Sequence, residues 1–101
     1  MSRDKLSTSV WLLQGLFKST SGILELTQDR LVFKSAGETV FDTPRESLTD
    51  VSFPWYYFGA GVVLSIDSKR YRFSFVEPGE NGDLVSGREA GKSWKLRLLT
   101  L

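Results

Sequence analysis

The strongest constraint on the fold is a two-residue alternation of apolar and polar side chains, which recurs in short runs separated by turn residues. Leu24 and Leu26 flank Glu25, and Leu31 and Phe33 repeat the same spacing a few residues later. Successive side chains of a β-strand point to opposite faces, so this period predicts strands with one buried face. The pattern continues to about residue 76 and predicts a mainly β chain.

Turn residues divide this region into seven strands within about residues 8–76. Runs at spacings of roughly 8–12 residues are typical of a sandwich or barrel. Pro44 ends the fourth strand, since proline cannot donate to a ladder. Turns are predicted at residues 18–22, 28–29, 35–38, 59–61 and 67–69.

The end of the chain changes to a helical period, over about residues 84–100. Ser86 and Glu89 have the spacing of a capping box, in which each side chain bonds a free backbone N–H at the helix start. Gly87 and Gly91 weaken the helix by up to ~1 kcal/mol each, so we expect them to permit close packing on the sheet. The apolar face recurs every three or four residues at Ala90, Trp94, Leu98 and Leu101. We predict an amphipathic helix.

Together these elements predict one domain over residues 1–101. Its fold class is mainly β with one C-terminal helix: a seven-stranded antiparallel roll or barrel that the helix caps. A length of 101 residues suits a single hydrophobic core.

Several segments resemble the GRAM domain, a member of the pleckstrin-homology-like (PH-like) superfamily. Residues 22–33, GILELTQDRLVF, are similar to its G-x-L-x-L-T-x-x-R-L-x-F signature. Residues 41–51 and 71–75 resemble its later strands, and Trp94 resembles the inward tryptophan of the PH-domain helix. The resemblance covers most of residues 8–100. It implies a PH-like roll that binds lipid headgroups, peptides or other domains, without catalysis.

The residue inventory does not favour an enzyme. The chain has no histidine and no cysteine, which removes the commonest general base and zinc ligand and all thiolate chemistry. Its candidate acids fall in turns or at outward strand positions: Glu25, Asp29, Asp42, Glu46 and Asp50. We therefore predict no catalytic residues, no bound metal and no cofactor.

Charge and the N-terminal sequence bear on partners and location. The net charge of +1 provides no general attraction for nucleic acid, so none is expected as a partner. The first ten residues, MSRDKLSTSV, lack the apolar region of a signal peptide. We expect a cytoplasmic protein.

An aromatic stretch, FPWYYFGAG at residues 53–61, is the strongest candidate for a binding site. Phe53 and Trp55 are expected in the core, and Trp55 also begins a partly exposed aromatic tip that continues with Tyr56, Tyr57 and Phe58. Such rings dominate interaction hot spots because they bury a large area at low entropic cost. The tip is predicted to bind another protein, a second copy of the chain or a membrane surface.

Cationic residues suggest weaker sites. Lys18, in the predicted loop after the first strand, and Lys34 would form a small site for anions or lipid headgroups. A second cationic group comprises Lys69, Arg70 and Arg72.

A third basic group lies on the predicted helix. Arg88, Lys92 and Lys95 form a stripe away from Trp94. This stripe is either a solvated face or a patch for an acidic partner.

The leading functional hypothesis is a non-enzymatic interaction module that binds protein through the aromatic tip. One alternative is a peripheral membrane protein that binds anionic lipid through Lys18, Lys34 and the tip. Another is an accessory subunit of an enzyme.

Overall fold

Seven antiparallel strands form one sheet, and a single helix follows them. The computed structural model describes residues 5–15, 18–54, 59–78 and 83–99. A 3₁₀ turn at Arg45–Ser47 separates the fourth and fifth strands. The elements are β1 (Leu6–Gln14), β2 (Lys18–Leu26), β3 (Arg30–Ser35), β4 (Glu38–Pro44), β5 (Leu48–Ser52), β6 (Gly61–Ile66), β7 (Lys69–Ser74) and α1 (Leu84–Leu99). The predicted fold class is confirmed.

The sheet is curled into a half-barrel. Its strand order is β4-β3-β2-β1-β7-β6-β5, so three strands separate β4 from β7 along the sheet. Nevertheless the rings of Phe41 in β4 and Tyr71 in β7 have centroids only 4.9 Å apart. Such a contact is possible only if the sheet bends until its two halves face each other.

The core lies inside this curl, at the positions that the alternation predicts. Leu24, Leu31 and Phe33 are fully buried, and so is Phe73 in β7. The rings of Phe33 and Phe73 meet edge to face, with centroids 5.0 Å apart, a geometry that adds stability beyond buried area.

Helix α1 closes one end of the half-barrel with Trp94, which is fully buried. The Trp94 indole stacks on Phe75, and its Nε1–H donates to Thr8 Oγ1 at 2.9 Å, which satisfies the only polar atom of the buried ring. Arg45 Nη2 donates to the carbonyl oxygen of Arg97 near the helix end.

No helix in the described ranges has the length and apolar character needed to cross a membrane.

Two glycines bring α1 against the sheet, as the sequence predicts. A Cβ at Gly91 would overlap the carbonyl oxygen of Gly59, and one at Gly87 would overlap a methyl of Val76. Both glycines are buried. The backbone of α1 therefore touches the corner that leads into β6.

The turn predicted at residues 18–22 is wrong, because these residues form the first half of β2. They pair with β1 from Gln14 back to Val10. Gly15, with φ of 72°, lies at the reversal after β1. Gly22 has a different use: a Cβ there would overlap the carbonyl oxygen of Lys34, so the glycine permits close approach of β3.

The predicted capping box at Ser86 is also wrong, because α1 begins one turn earlier. Asp83 Oδ1 accepts the Ser86 backbone N–H at 3.2 Å, and its Oδ2 accepts the Ser86 hydroxyl at 2.8 Å. Asp83 is thus the N-cap, a position that favours aspartate. The pKa of Asp83 lies below its ordinary value, chiefly because the Ser86 side chain donates a hydrogen bond to the carboxylate. The hydrogen bond from the Ser86 backbone N–H lowers this pKa further.

The cap should make helix stability depend on pH. The folded pKa of Asp83 is lowered, so its stabilising contribution is complete above the unfolded value of about 3.9 and is lost as pH falls through the lower folded pKa. We expect an Asp83→Ala variant to have a lower thermal midpoint than the unmodified protein at neutral pH, by circular dichroism. This difference should shrink below pH ~4.

Asp83→Asn is the matched control, because asparagine caps helices about as well as aspartate but does not titrate. This variant should keep the neutral-pH midpoint and lose part of the acid sensitivity. An unchanged acid sensitivity in Asp83→Asn would show that the cap carboxylate contributes nothing to it.

Candidate binding groove beside the C-terminal helix

A groove of about 660 Å³ runs between α1 and the corner that joins β5 to β6. We call it the helix groove. Phe53 and Pro54, which follow β5, form one wall, and the exposed side of α1 forms the other. The groove is lined by Phe53, Pro54, Gly59, Val85, Arg88, Glu89, Gly91, Lys92 and Lys95.

The wall at the sheet corner is apolar and half-buried. Phe53 is half-buried and packs against the core, which confirms its predicted core role. Pro54 follows it and is also half-buried. The contact between Gly59 and Gly91 fixes the distance between this corner and the helix. The apolar wall is therefore continuous with the hydrophobic core through Phe53.

The helix wall is mainly charged. Arg88, Lys92 and Lys95 lie on successive turns and are all exposed. Glu89 is the one carboxylate among the lining residues that the structure describes. Val85 adds an apolar side chain that is 72% exposed. The helix groove thus combines apolar surface with an excess of positive charge, which suits a partner that is apolar and acidic.

The predicted aromatic tip, Trp55 to Phe58, lies outside the described residues. The residues on either side of it, Pro54 and Gly59, both line the helix groove. The partner-binding role of Trp55, Tyr56, Tyr57 and Phe58 therefore stays a prediction.

No protein-family model matches this sequence, and no curated protein matches it either. The GRAM resemblance accordingly stays a prediction. Within the described ranges, no three histidine, cysteine or carboxylate side chains lie close enough to hold a metal ion. The geometry of the groove therefore carries the functional argument.

Lys18 and Lys34, predicted to form one anion site, are not neighbours on the sheet. Lys18 lies opposite Gln14 at the start of β2, whereas Lys34 lies opposite Ile23, five residues further along that strand, roughly 16 Å away. The Lys34 Nζ instead lies 3.5 Å from Glu25 Oε1. The other oxygen of this carboxylate is 3.4 Å from Lys5 Nζ. The anion-binding role of the two lysines therefore stays a prediction.

The cations of β7 do not form one cluster either. Strand alternation places Lys69 on one face of the sheet and Arg70 and Arg72 on the other. Lys69 Nζ lies 5.3 Å from the centre of the Tyr71 ring, a cation–π contact. Arg72 Nη2 donates to the carbonyl oxygen of Gly15 at 3.3 Å.

Arg70 has a different setting, in a shallow pocket of about 360 Å³ with Asp50 and Ser65. Charges of both signs line this pocket, and Asp50 adopts a positive φ of 52° where the pairing of β5 with β6 shifts register. A β-bulge accounts for this conformation, because it adds a residue to one strand.

Sequence reasoning identified the basic stripe of α1 but missed the groove beside it. Pro54, Val85 and Glu89 were not predicted to share a site with the stripe. The available signal was the proline that stops the fifth strand, since it marks where the chain leaves the sheet edge.

Proposed function

We propose that this protein is a non-enzymatic interaction module that binds a segment of another protein in the helix groove. The observation that supports the proposal is the combination of an apolar wall, at Phe53 and Pro54, with a charged helix wall. Recognition sites commonly join apolar area, which contributes affinity, to a few polar groups that set orientation. The predicted tip, Trp55 to Phe58, would add aromatic contacts to the same partner.

The chemistry of the groove favours binding over catalysis. General acid–base catalysis needs positioned groups with tuned pKa values. Among the described lining residues Glu89 is the single carboxylate, and it lies on an exposed helix face beside cations. This setting suits an ion-pair partner better than an acid or base.

Site-specific photocrosslinking tests the proposal. We would place p-benzoylphenylalanine at Val85, which lines the groove, and in a matched variant at Val40, which is 48% exposed on β4 outside it. Irradiation of cells in which the protein naturally acts should produce a discrete protein adduct from the Val85 variant. An adduct of about twice the 11.4 kDa chain mass would identify the partner as a second copy.

The adduct must also depend on the groove itself. Pro54→Asp would place a charge in the apolar wall, and we expect it to reduce the Val85 adduct while circular dichroism shows an intact fold. An equal adduct yield from Val40, or no adduct from Val85, would contradict the proposed site.

A further inference from the structure

We infer that the occupant of the helix groove is an extended acidic segment in which one apolar residue lies between two acidic ones. The inference rests on the proposed function, because it names the chemistry of the partner at the same site. Three features of the groove carry it: the charge of the helix wall, the spacing of its cations and the apolar wall opposite.

The charge of the helix wall selects an acidic partner. Lys92 and Lys95 are exposed, and neither makes an ion pair in the part of the chain that the structure describes. Arg88 continues their row, and Glu89 is the one carboxylate beside them among the described lining residues. Like charges this close repel one another, and an acidic segment between them and the apolar wall would relieve that repulsion.

The spacing of the cations matches an extended chain. Arg88 and Lys92 are four residues apart, a rise of about 6 Å along the helix axis. Lys92 and Lys95 are three residues apart, so the row spans about 10 Å. In an extended segment, side chains two residues apart share a face and lie about 7 Å from each other. Two acidic side chains in alternate positions therefore reach this row.

The same alternation places the middle residue of the segment against the apolar wall. The residue between the two acidic ones points to the opposite face of an extended segment. With the acids against α1, this middle side chain points at Phe53 and Pro54 across the groove. The expected motif is acidic–apolar–acidic.

A protein segment fits these features better than an anionic membrane does. The site is a groove between two walls, and a flat bilayer surface cannot contact both. Glu89 lies among the cations. Its carboxylate can accept a hydrogen bond from a backbone N–H of a bound segment, a donor that lipid phosphates lack.

Peptide selection tests the motif. Random twelve-residue peptides displayed on phage would be selected on the full-length protein and, in parallel, on Lys92→Glu/Lys95→Glu. We expect the unmodified protein to enrich acidic–apolar–acidic peptides. A synthetic peptide of that type should bind the charge-reversed variant at least about tenfold more weakly, and should also weaken as salt increases.

Lys69→Glu/Arg70→Glu is the matched control. It makes the same change in net charge at exposed residues outside the groove. This variant should bind the peptide as the unmodified protein does, and circular dichroism should confirm that both variants fold. An equal loss in both variants would reduce the effect to overall charge and overturn the inference.

The remaining outcomes separate the inference from the proposed function. Selection could instead enrich neutral or basic peptides whose binding is lost in Pro54→Asp. That result would overturn the acidic motif and keep the groove as a protein-binding site. Enrichment of no peptide would count against both. The protein could instead co-sediment with phosphatidylserine vesicles, lose this binding in Lys92→Glu/Lys95→Glu and enrich no peptide. That combination would identify a membrane as the occupant.

Discussion

Replacing Trp94 by alanine is expected to lower the free energy of unfolding by about 4 kcal/mol. Large aromatic-to-alanine changes in a core cost about 3–5 kcal/mol, because they remove buried area and leave a cavity. Trp94 is fully buried against Phe75, with ring centroids 6.1 Å apart. Small domains have only about 5–15 kcal/mol of stability, so this loss is a large fraction of the total. Urea denaturation followed by circular dichroism measures the effect.

Trp94→Phe separates the packing of the ring from its hydrogen bond. Phenylalanine keeps an aromatic ring in the cavity but loses the donor to Thr8 Oγ1. We expect a smaller loss, about 1–2 kcal/mol. If Trp94→Ala costs no more than Trp94→Phe, the helix does not close the half-barrel through this side chain.

Gly91→Ala should destabilise the protein by about 3 kcal/mol, although alanine favours helix formation by ~1 kcal/mol over glycine. The added methyl would overlap the carbonyl oxygen of Gly59, and backbone can move away only by displacing the helix from the corner. Gly87→Ala meets a methyl group of Val76, a side chain, so its cost should be smaller. The same denaturation experiment ranks the two variants.

Ser93→Ala is the control for helix propensity. Ser93 is exposed on α1, and its hydroxyl donates only to the carbonyl oxygen of Glu89 within the helix. We expect this variant to be as stable as the unmodified protein or slightly more stable. A Gly91→Ala variant that gains stability as Ser93→Ala does would mean that α1 is not packed on Gly59.

The strands and the core were predictable from sequence because their signal is local. The alternation at Leu24, Leu26, Leu31 and Phe33 depends only on which face of a strand is buried, and all four are buried as predicted. The half-barrel with its terminal helix followed from the number and order of these runs.

The errors occurred where one residue type serves two purposes. Glycine suits both a turn and a close approach of two backbones, so Gly22 was assigned to a turn although Gly15 lies at the reversal. Aspartate and serine are both good N-caps. Asp83 and Ser86 lie three residues apart, and sequence spacing alone favoured the wrong one.

The helix groove could not be predicted because it depends on tertiary structure. Its walls come from residues 53–54 and from α1, about thirty residues later, and they meet only after the helix packs on Gly59. Lys34 shows the same limit, since its ion pair with Glu25 depends on the register of β2 with β3. Register and helix docking are set by the whole core.

The hydrogen bond between Thr8 and Trp94 has a consequence for the order of folding. It joins residues 86 positions apart, so the two ends of the chain must come together before α1 can pack against the half-barrel. Contacts between residues far apart in sequence slow folding, because the entropy of closing the loop is lost before the contact forms. A nascent or partly unfolded chain would therefore present its strands before it presents a helix groove, and a partner that recognises the groove would select the completed domain.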